Sequence, residues 1–427
     1  MRKEFRNLAF RLKTLIIDRI TSWYHLLNER LNPMTKESVK VSLLLLLIAL
    51  SSCVTRKAAR ETIKQEDEIV NPLEQKSQST DNELNLLRHE AASLLMLGFR
   101  GVDQLPEELV YDLKTLRIGG IILFEYDAPS KSRPRNIVSP EQVAKLIREI
   151  KQTADYPILI GVDQEGGKVN RLKKGLGFPW IPSAEYLGAL NNEDSTQKYA
   201  ELMTGALLQA GFNVNFAPCI DVNINPACPV IGGVQRSFSS NPDDVAKHAS
   251  VFIRTMVKSR IAPVIKHFPG HGSAKSDTHA GFTDVTETWD PVELDPYRLL
   301  IKNNRRFSVM TAHVFNKRID TIYPATLSKK VVTGLLKDSL GYKGIIFSDD
   351  MMMGAITKNY DLAASVELAL NAGVDVLIFS NNIDEYDPTI ANKVVDTIVN
   401  LVRTGRVSRE RIHEASKKVR ALAKWVN

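Results

Sequence analysis

Cysteine is scarce in this chain of 427 residues, with three in all, at positions 53, 219 and 228. So few cannot form a disulfide framework, and the eight residues between Cys219 and Cys228 lack the paired spacing of a zinc site. A core thiol and a loop thiol are expected there, with a single bridge between them as the alternative in an exported protein. Charge of one sign is also lacking over most of the chain. Residues 1–52 hold nine Lys or Arg against four Asp or Glu, which is +5 of the formal +7. The remainder is close to neutral, so no electrostatic footprint for nucleic acid is present. No apolar run is long enough to span a bilayer comfortably as a permanent helix. With 44% hydrophobic and 25% charged residues, the composition excludes collagen, coiled coil and a wholly disordered chain.

What the amino end does contain is an export pattern. Met34 to Cys53 has two lysines, Lys36 and Lys40, then an apolar run from Ser42 to Leu50, then Leu50-Ser51-Ser52-Cys53. This has the three parts of a signal peptide. Its ending resembles the bacterial lipobox, in which the cysteine is lipidated and becomes the first mature residue. Cys53 is therefore the expected lipidation site, and a buried core helix is the alternative for the run. Residues 1–33 read as a basic amphipathic extension upstream of the natural start, or else as a membrane-surface helix. The expected organisation is an extension over 1–33, a signal peptide over 34–52, a polar tether over 53–84 and one folded body over 85–427.

In that body, short β-rich runs alternate with helical stretches. Eight candidate strands are 95–101, 120–126, 157–163, 213–222, 262–268, 308–314, 344–350 and 375–380. Helical stretches include 139–154, 243–260, 327–340, 361–373 and 408–426. Strands alternating with helices imply parallel βαβ units, and eight repeats favour a closed (β/α)8 TIM-like barrel of the α/β class. Asp163, Lys266, His267, His313 and Asp349 all fall at or near the carboxyl end of a candidate strand. That is the face on which such barrels place their active sites.

The segment Lys266 to Gly281, KHFPGHGSAKSDTHAG, ends a strand with a Lys-His pair and enters a Gly/Pro-rich loop. Taken alone, its histidines could be structural. A metal cluster of His267, His271 and His279 is another reading, but the spacing fits neither HExxH nor a paired-His strand motif. No metal and no organic cofactor is expected. In FSDDM, Asp349 and Asp350 are neighbours on a strand, so their side chains face opposite ways and one alone points into the barrel mouth.

KHFPGHG followed by D-T-H, VDQEGGKVNRL (162–172), QRSF (235–238) and PATLSKKVVTGLLKDSLGYKGIIFSDDMMMGAI (324–356) occur in one order. Together they resemble glycoside hydrolase family 3, and within it the single-domain β-N-acetylhexosaminidases. The resemblance covers about residues 90–425. It implies that Asp349 is the nucleophile and His279 the proton donor, with Asp277 orienting the imidazole. It further implies that Asp163, Arg171, Arg236, Lys266 and His267 bind the sugar, while a solvated surface position is the alternative for Arg236. Glu165 reads as structural, and Gly166-Gly167 as a tight turn near the ligand. Two departures from the family stand out. Met351-Met352-Met353 follow the paired aspartates where many relatives have Leu. The chain also stops after one barrel, without the second domain that carries the acid/base in the family's glucosidases.

Histidine suits the donor role because its ordinary pKa lets it give and take back a proton near neutrality. The expected protein is a monomeric, membrane-anchored, periplasm-facing or surface-exposed hydrolase. It removes terminal β-linked N-acetylglucosamine from peptidoglycan fragments or chitooligosaccharides, through a glycosyl-enzyme intermediate. Two rivals remain: a phosphorylase that finishes the same chemistry with inorganic phosphate, and a non-catalytic glycan-binding lipoprotein.

Overall fold

Why eight strands of this sequence close on themselves follows from which side chains are apolar. The strands are β1 (Leu95–Gly98), β2 (Gly120–Ile122), β3 (Leu159–Val162), β4 (Val214–Asn215), β5 (Ala262–Phe268), β6 (Ser308–Thr311), β7 (Ile346–Asp350) and β8 (Val376–Phe379). In β1, Leu95 and Leu97 face the surrounding helices, and Met96 faces the axis. The same alternation puts Val264, Phe347 and the pair Val376 and Ile378 inside, with Ile265, Ile346 and Leu377 outside. Most strands are thus apolar on both faces, as parallel strands covered by helices require. All neighbouring pairs are parallel, and Leu95 opposite Leu377 closes the ring between β1 and β8.

The structure is a computed structural model. It describes residues 72–427 apart from positions 133, 280, 304, 305 and 384, together with 14, 15, 18, 19, 21–23, 41 and 42. Most of the expected extension and signal peptide, Cys53 and the first part of the tether lie outside the described residues. The chain divides into two units at Asn82/Glu83, and the barrel belongs to the second. A helix runs from Pro72 to Ser93, so residues 72–84, expected as tether, are helical. Residues 81–86 are exposed, and Leu87, Ala91 and Ala92 are buried. A polar stretch with so few apolar positions carries no helical periodicity to read. Among the described residues, no helix is long and apolar enough to cross a membrane.

The expected helices form at 140–154, 242–258, 330–339, 362–372 and 409–426, the third of them as a π-helix. Ser139, Asn241, Asp361 and Ser408 cap four of them with side-chain acceptors, the residue types that best satisfy the free N–H groups of a first turn. The last helix plugs the floor of the barrel. Its Val419, Ala423 and Val426 recur at helical spacing and pack against Ala262 and Ile345 at the strands' amino ends. With the floor sealed by apolar side chains, the open end is the carboxyl end.

Candidate active site

The alternation that fills the barrel also aims its polar groups. Counting on in twos from buried axial residues, Leu159 and Gly161 lead to Asp163, Val264 leads to Lys266, Phe347 to Asp349 and Ile378 to Ser380. All four polar residues line one open cavity at the carboxyl end, along with Glu125, Arg171, Arg236, His267, His279 and Asp350. Apolar axial packing thus stops and polar lining begins at one level on several strands. His267 belongs to the other parity and reaches the cavity where the β5–β6 register shifts between Ile265 and Phe268.

Asp349 is half-buried in the wall of the cavity. Burial alone would raise its carboxyl, but the imidazoles of His313, His267 and His279 outweigh it and hold the group below the ordinary range. An ionised carboxylate on the cavity wall results. Asp350 is occupied differently, accepting from the backbone N–H of Ser380 at 3.0 Å and of Met352 at 3.1 Å and from the Ser380 hydroxyl. Burial raises its carboxyl to about 6. Two adjacent aspartates are therefore driven in opposite directions, one to carry charge and one to hold the turn. His313 stays below them, with Nδ1 on the Thr326 hydroxyl at 2.8 Å and Nε2 on the Asp350 carbonyl at 2.9 Å.

Asp277, Thr278 and His279 show the same alternation on a loop. Thr278 is buried, its hydroxyl 3.3 Å from His271 Nε2 and its carbonyl accepting from the Ala355 N–H at 3.2 Å. With Thr278 pinned inward, its two neighbours project outward together. Asp277 Oδ1 accepts from the His279 backbone N–H at 2.8 Å and lies 2.8 Å from His279 Nδ1. Burial works against the Asp277 carboxylate, yet these two bonds keep it below the ordinary range. Nδ1 is committed to Asp277, so Nε2 is the nitrogen left for the cavity. The side chain of His279 is 65% exposed, open to whatever enters.

The wall opposite is a chain of alternating charges. Lys266 Nζ bonds Asp163 at 2.6 Å and Glu165 at 2.8 Å, which leaves one of its three N–H groups for a ligand. Arg236 grips Glu165 at 2.8 and 2.7 Å, the Val230 carbonyl at 2.8 Å and His267 Nε2 at 3.2 Å. With four of its five N–H groups engaged, one remains. Arg236 is thus a held cation at the site and not the solvated surface residue that was the alternative. Arg171 lies 3.8 Å from Asp163 and 3.7 Å from Glu125. The turn that delivers it is tight: Gly166 and Gly167 have φ of +99° and +57°, and a Cβ on Gly166 would meet the Pro182 carbonyl at 2.2 Å.

Two contributors escaped sequence reasoning. Asp221 lies under the wall, accepting from His267 Nδ1 at 2.7 Å and from the His271 N–H at 2.8 Å. Burial opposes its charge, and His267 more than compensates, keeping the carboxyl well below the ordinary range. Glu125 is a buried carboxylate on the cavity wall, paired with Lys173 at 2.7 Å. Both stand at the carboxyl end of candidate strands, 213–222 and 120–126, so the rule that singled out Asp163 could have found them.

Among the described residues, Cys219, Asp221 and His267 come nearest to a metal-ligand set, their ligand atoms within 4.8 Å of one another. Hydrogen bonds already join them, the Cys219 thiol to Asp221 at 3.1 Å and His267 to the same oxygen. Cys219 and Cys228 are both buried, unbridged thiols.

Beneath the start of the loop, Glu293 accepts from the Gly272 N–H at 2.9 Å. Burial, reinforced by Asp221, raises its carboxyl to about 8. The unfolded chain ionises this group near its ordinary 4.5. Between those values the unfolded state has lost a proton that the folded state keeps, so stability falls as pH rises through that window. Glu293→Gln mimics the protonated form and removes this slope. The melting temperature of the variant should gain on the parent between pH 5 and pH 8, by on the order of a few kcal/mol in stability. Parallel melting curves across that range would show that Glu293 is ionised in the fold.

Residues 86–422 match the family described as the glycosyl hydrolase family 3 N terminal domain. The chain belongs to glycosyl hydrolase family 3. It is a glycoside hydrolase, and relatives within this family agree. A β-hexosaminidase of Idiomarina loihiensis is 35% identical over 295 residues, covering 67% of this chain and 84% of that protein. One of Alkalilimnicola ehrlichii is 33% identical over 341 residues, covering 78% and 93%. Among solved structures, a family 3 β-N-acetylglucosaminidase of a Paenibacillus species aligns with a TM-score of 0.72 at 33% identity. The alignment covers 80% of this chain and 62% of that one, so the present chain spans less than two thirds of that protein. A β-N-acetylhexosaminidase of Beutenbergia cavernae aligns with a TM-score of 0.68 at 26% identity, covering 79% and 98%.

Proposed function

We propose that this family 3 hydrolase is a retaining exo-β-N-acetylglucosaminidase acting on peptidoglycan fragments or chitooligosaccharides. The observation that carries the reading is the pairing of Asp277 with His279 on a loop whose imidazole lines the same cavity as Asp349. Asp349 attacks the anomeric carbon, and His279 Nε2 protonates the departing oxygen. Asp277 orients the ring and stabilises its charged form. In the second step His279 takes a proton from water, which opens the ester to Asp349. Asp163, the spare N–H groups of Lys266 and Arg236, and the Arg171 guanidinium hold the sugar hydroxyls, with His267 completing that wall. Selectivity for the acetamido sugar is supported by the names of the relatives. A chromogenic N-acetyl-β-glucosaminide assayed beside the matching β-glucoside tests it. Strong preference for the former is expected, and equal turnover of the two would refute it. Sugar-1-phosphate in place of free sugar when phosphate is present would convert the reading to a phosphorylase.

The same proposal places the enzyme at a membrane as a monomer anchored through Cys53, outside the cytoplasm. One or two acyl chains on that thiol anchor a protein without a spanning helix. In cells fed labelled fatty acid, the parent chain is expected in the membrane fraction carrying label, and Cys53→Ala in neither. A labelled, membrane-bound Cys53→Ala chain would refute lipidation at Cys53.

A further inference from the structure

The proton given by His279 goes to the oxygen that joins the departing group to the sugar. The loop that carries His279 therefore borders the space that the aglycone fills. Phe282 follows three residues later, a separation of at most about 10 Å, and it is 56% exposed. The backbone beneath this ring is firmly held. Thr283 is fully buried and pairs with Val314, and the Val285 N–H donates to the Phe315 carbonyl at 2.8 Å. The Ser276 hydroxyl donates to that of Thr283 at 3.1 Å, closing the neck of the loop that carries Asp277 and His279. Phe315 stands beside Phe282, with ring centroids 5.2 Å apart and planes tilted by 41°. Gly281, just before the ring, has no atom within 4 Å of where a Cβ would lie, so nothing packs against the chain at that point.

The exposed face of this ring is apolar surface that the fold leaves in water, and burying it against a ligand is favourable. Backed on one side by Phe315 and open on the other, this ring offers a flat apolar face of the kind that packs on apolar surface. A pyranose presents such a surface on the face where its C–H bonds project.

We propose that Phe282, supported by Phe315, is an aglycone platform on which the neutral sugar following the scissile bond stacks. The proposal rests on the reading of His279 as proton donor. It gives the enzyme a binding preference for oligosaccharides over glycosides with small leaving groups.

The test uses the full chain with two probes, a β-linked N-acetylglucosamine disaccharide and β-N-acetylglucosaminyl fluoride. The fluoride's departing group is a single atom and cannot reach Phe282. For Phe282→Ala, kcat/KM on the disaccharide is expected to fall about 10-fold, mainly through KM, while the fluoride is turned over as by the parent. Phe282→Trp should restore the disaccharide rate. An unchanged disaccharide KM overturns the platform. Equal losses on both probes overturn it as well, because they would mean that Phe282 acts through the position of His279. Failure of the parent to release N-acetylglucosamine from either probe would instead strike the proposed function.

Discussion

Asp349→Asn should retain its sugar affinity and lose turnover by ~10⁴-fold or more, the scale on which removal of a covalent catalyst acts. An amide of the same shape keeps the packing of β7 over Phe347, which meets Phe216 edge to face at 5.8 Å inside the barrel. It leaves Asp163 and Lys266 untouched, so the hydroxyl contacts persist. What disappears is the negative charge that His313, His267 and His279 favour, and with it the atom that bonds the anomeric carbon. A fluorinated sugar that slows the second step should leave a covalent adduct on the parent chain, at Asp349. Peptide mass spectrometry decides the matter, since an adduct on Asp350 would reverse the two roles. The hydrogen bonds argue against such a reversal. Asp350 accepts from two backbone N–H groups and a hydroxyl, so its oxygens are spent on the turn after β7, and its carboxyl is pushed toward the neutral form by burial.

How much of this was legible before the structure depends on what each residue answers to. Strand runs such as Pro157 to Val162 and Asp375 to Phe379 are apolar on both faces, which is the mark of a parallel sheet between helices, and all eight candidate strands form. Six of them end earlier at the carboxyl side than expected, as in β4, where only Val214 and Asn215 pair within the candidate 213–222, while β5 and β7 reach Phe268 and Asp350. The shortening has a physical cause, because beyond the last paired residue the chain turns polar groups such as Asp221 toward the site. Asp163, Lys266 and Asp349 were legible because each follows an apolar run in sequence, at or near the carboxyl end of its strand. The Asp277 and His279 pairing was legible through its motif. The roles of Glu165 as a bridge between two cations and of Asp221 beneath two histidines depend on residues far apart in the chain, Glu165 with Arg236 and Asp221 with His267. No local pattern encodes such partners. Glu293 is a plainer case, an acid in a helical turn whose burial under Gly270 and Gly272 has no counterpart in sequence periodicity.

His279→Ala should separate the two chemical steps, since they depend on the imidazole unequally. In the first step Nε2 protonates the departing oxygen, a demand that shrinks as the leaving group becomes a weaker base. Turnover of a β-linked disaccharide should therefore fall ~10²–10⁴-fold, the usual worth of a positioned acid, and that of an activated phenyl glycoside far less. In the second step the same residue must deprotonate water, so with the activated substrate loss of the glycosyl group becomes limiting. The covalent intermediate then accumulates, and phenol is released in a burst equal to the enzyme present. Asp277→Ala leaves the imidazole in place and removes only its 2.8 Å partner, so the same leaving-group dependence should appear in weaker form. Pre-steady-state release of phenol, measured for both variants against good and poor leaving groups, reads all of this at once. Equal losses for every leaving group, without a burst, would make His279 a binding or structural residue. The proton donor would then have to be another group at the cavity, and Glu125, the carboxylate on the opposite wall, would be the next to test.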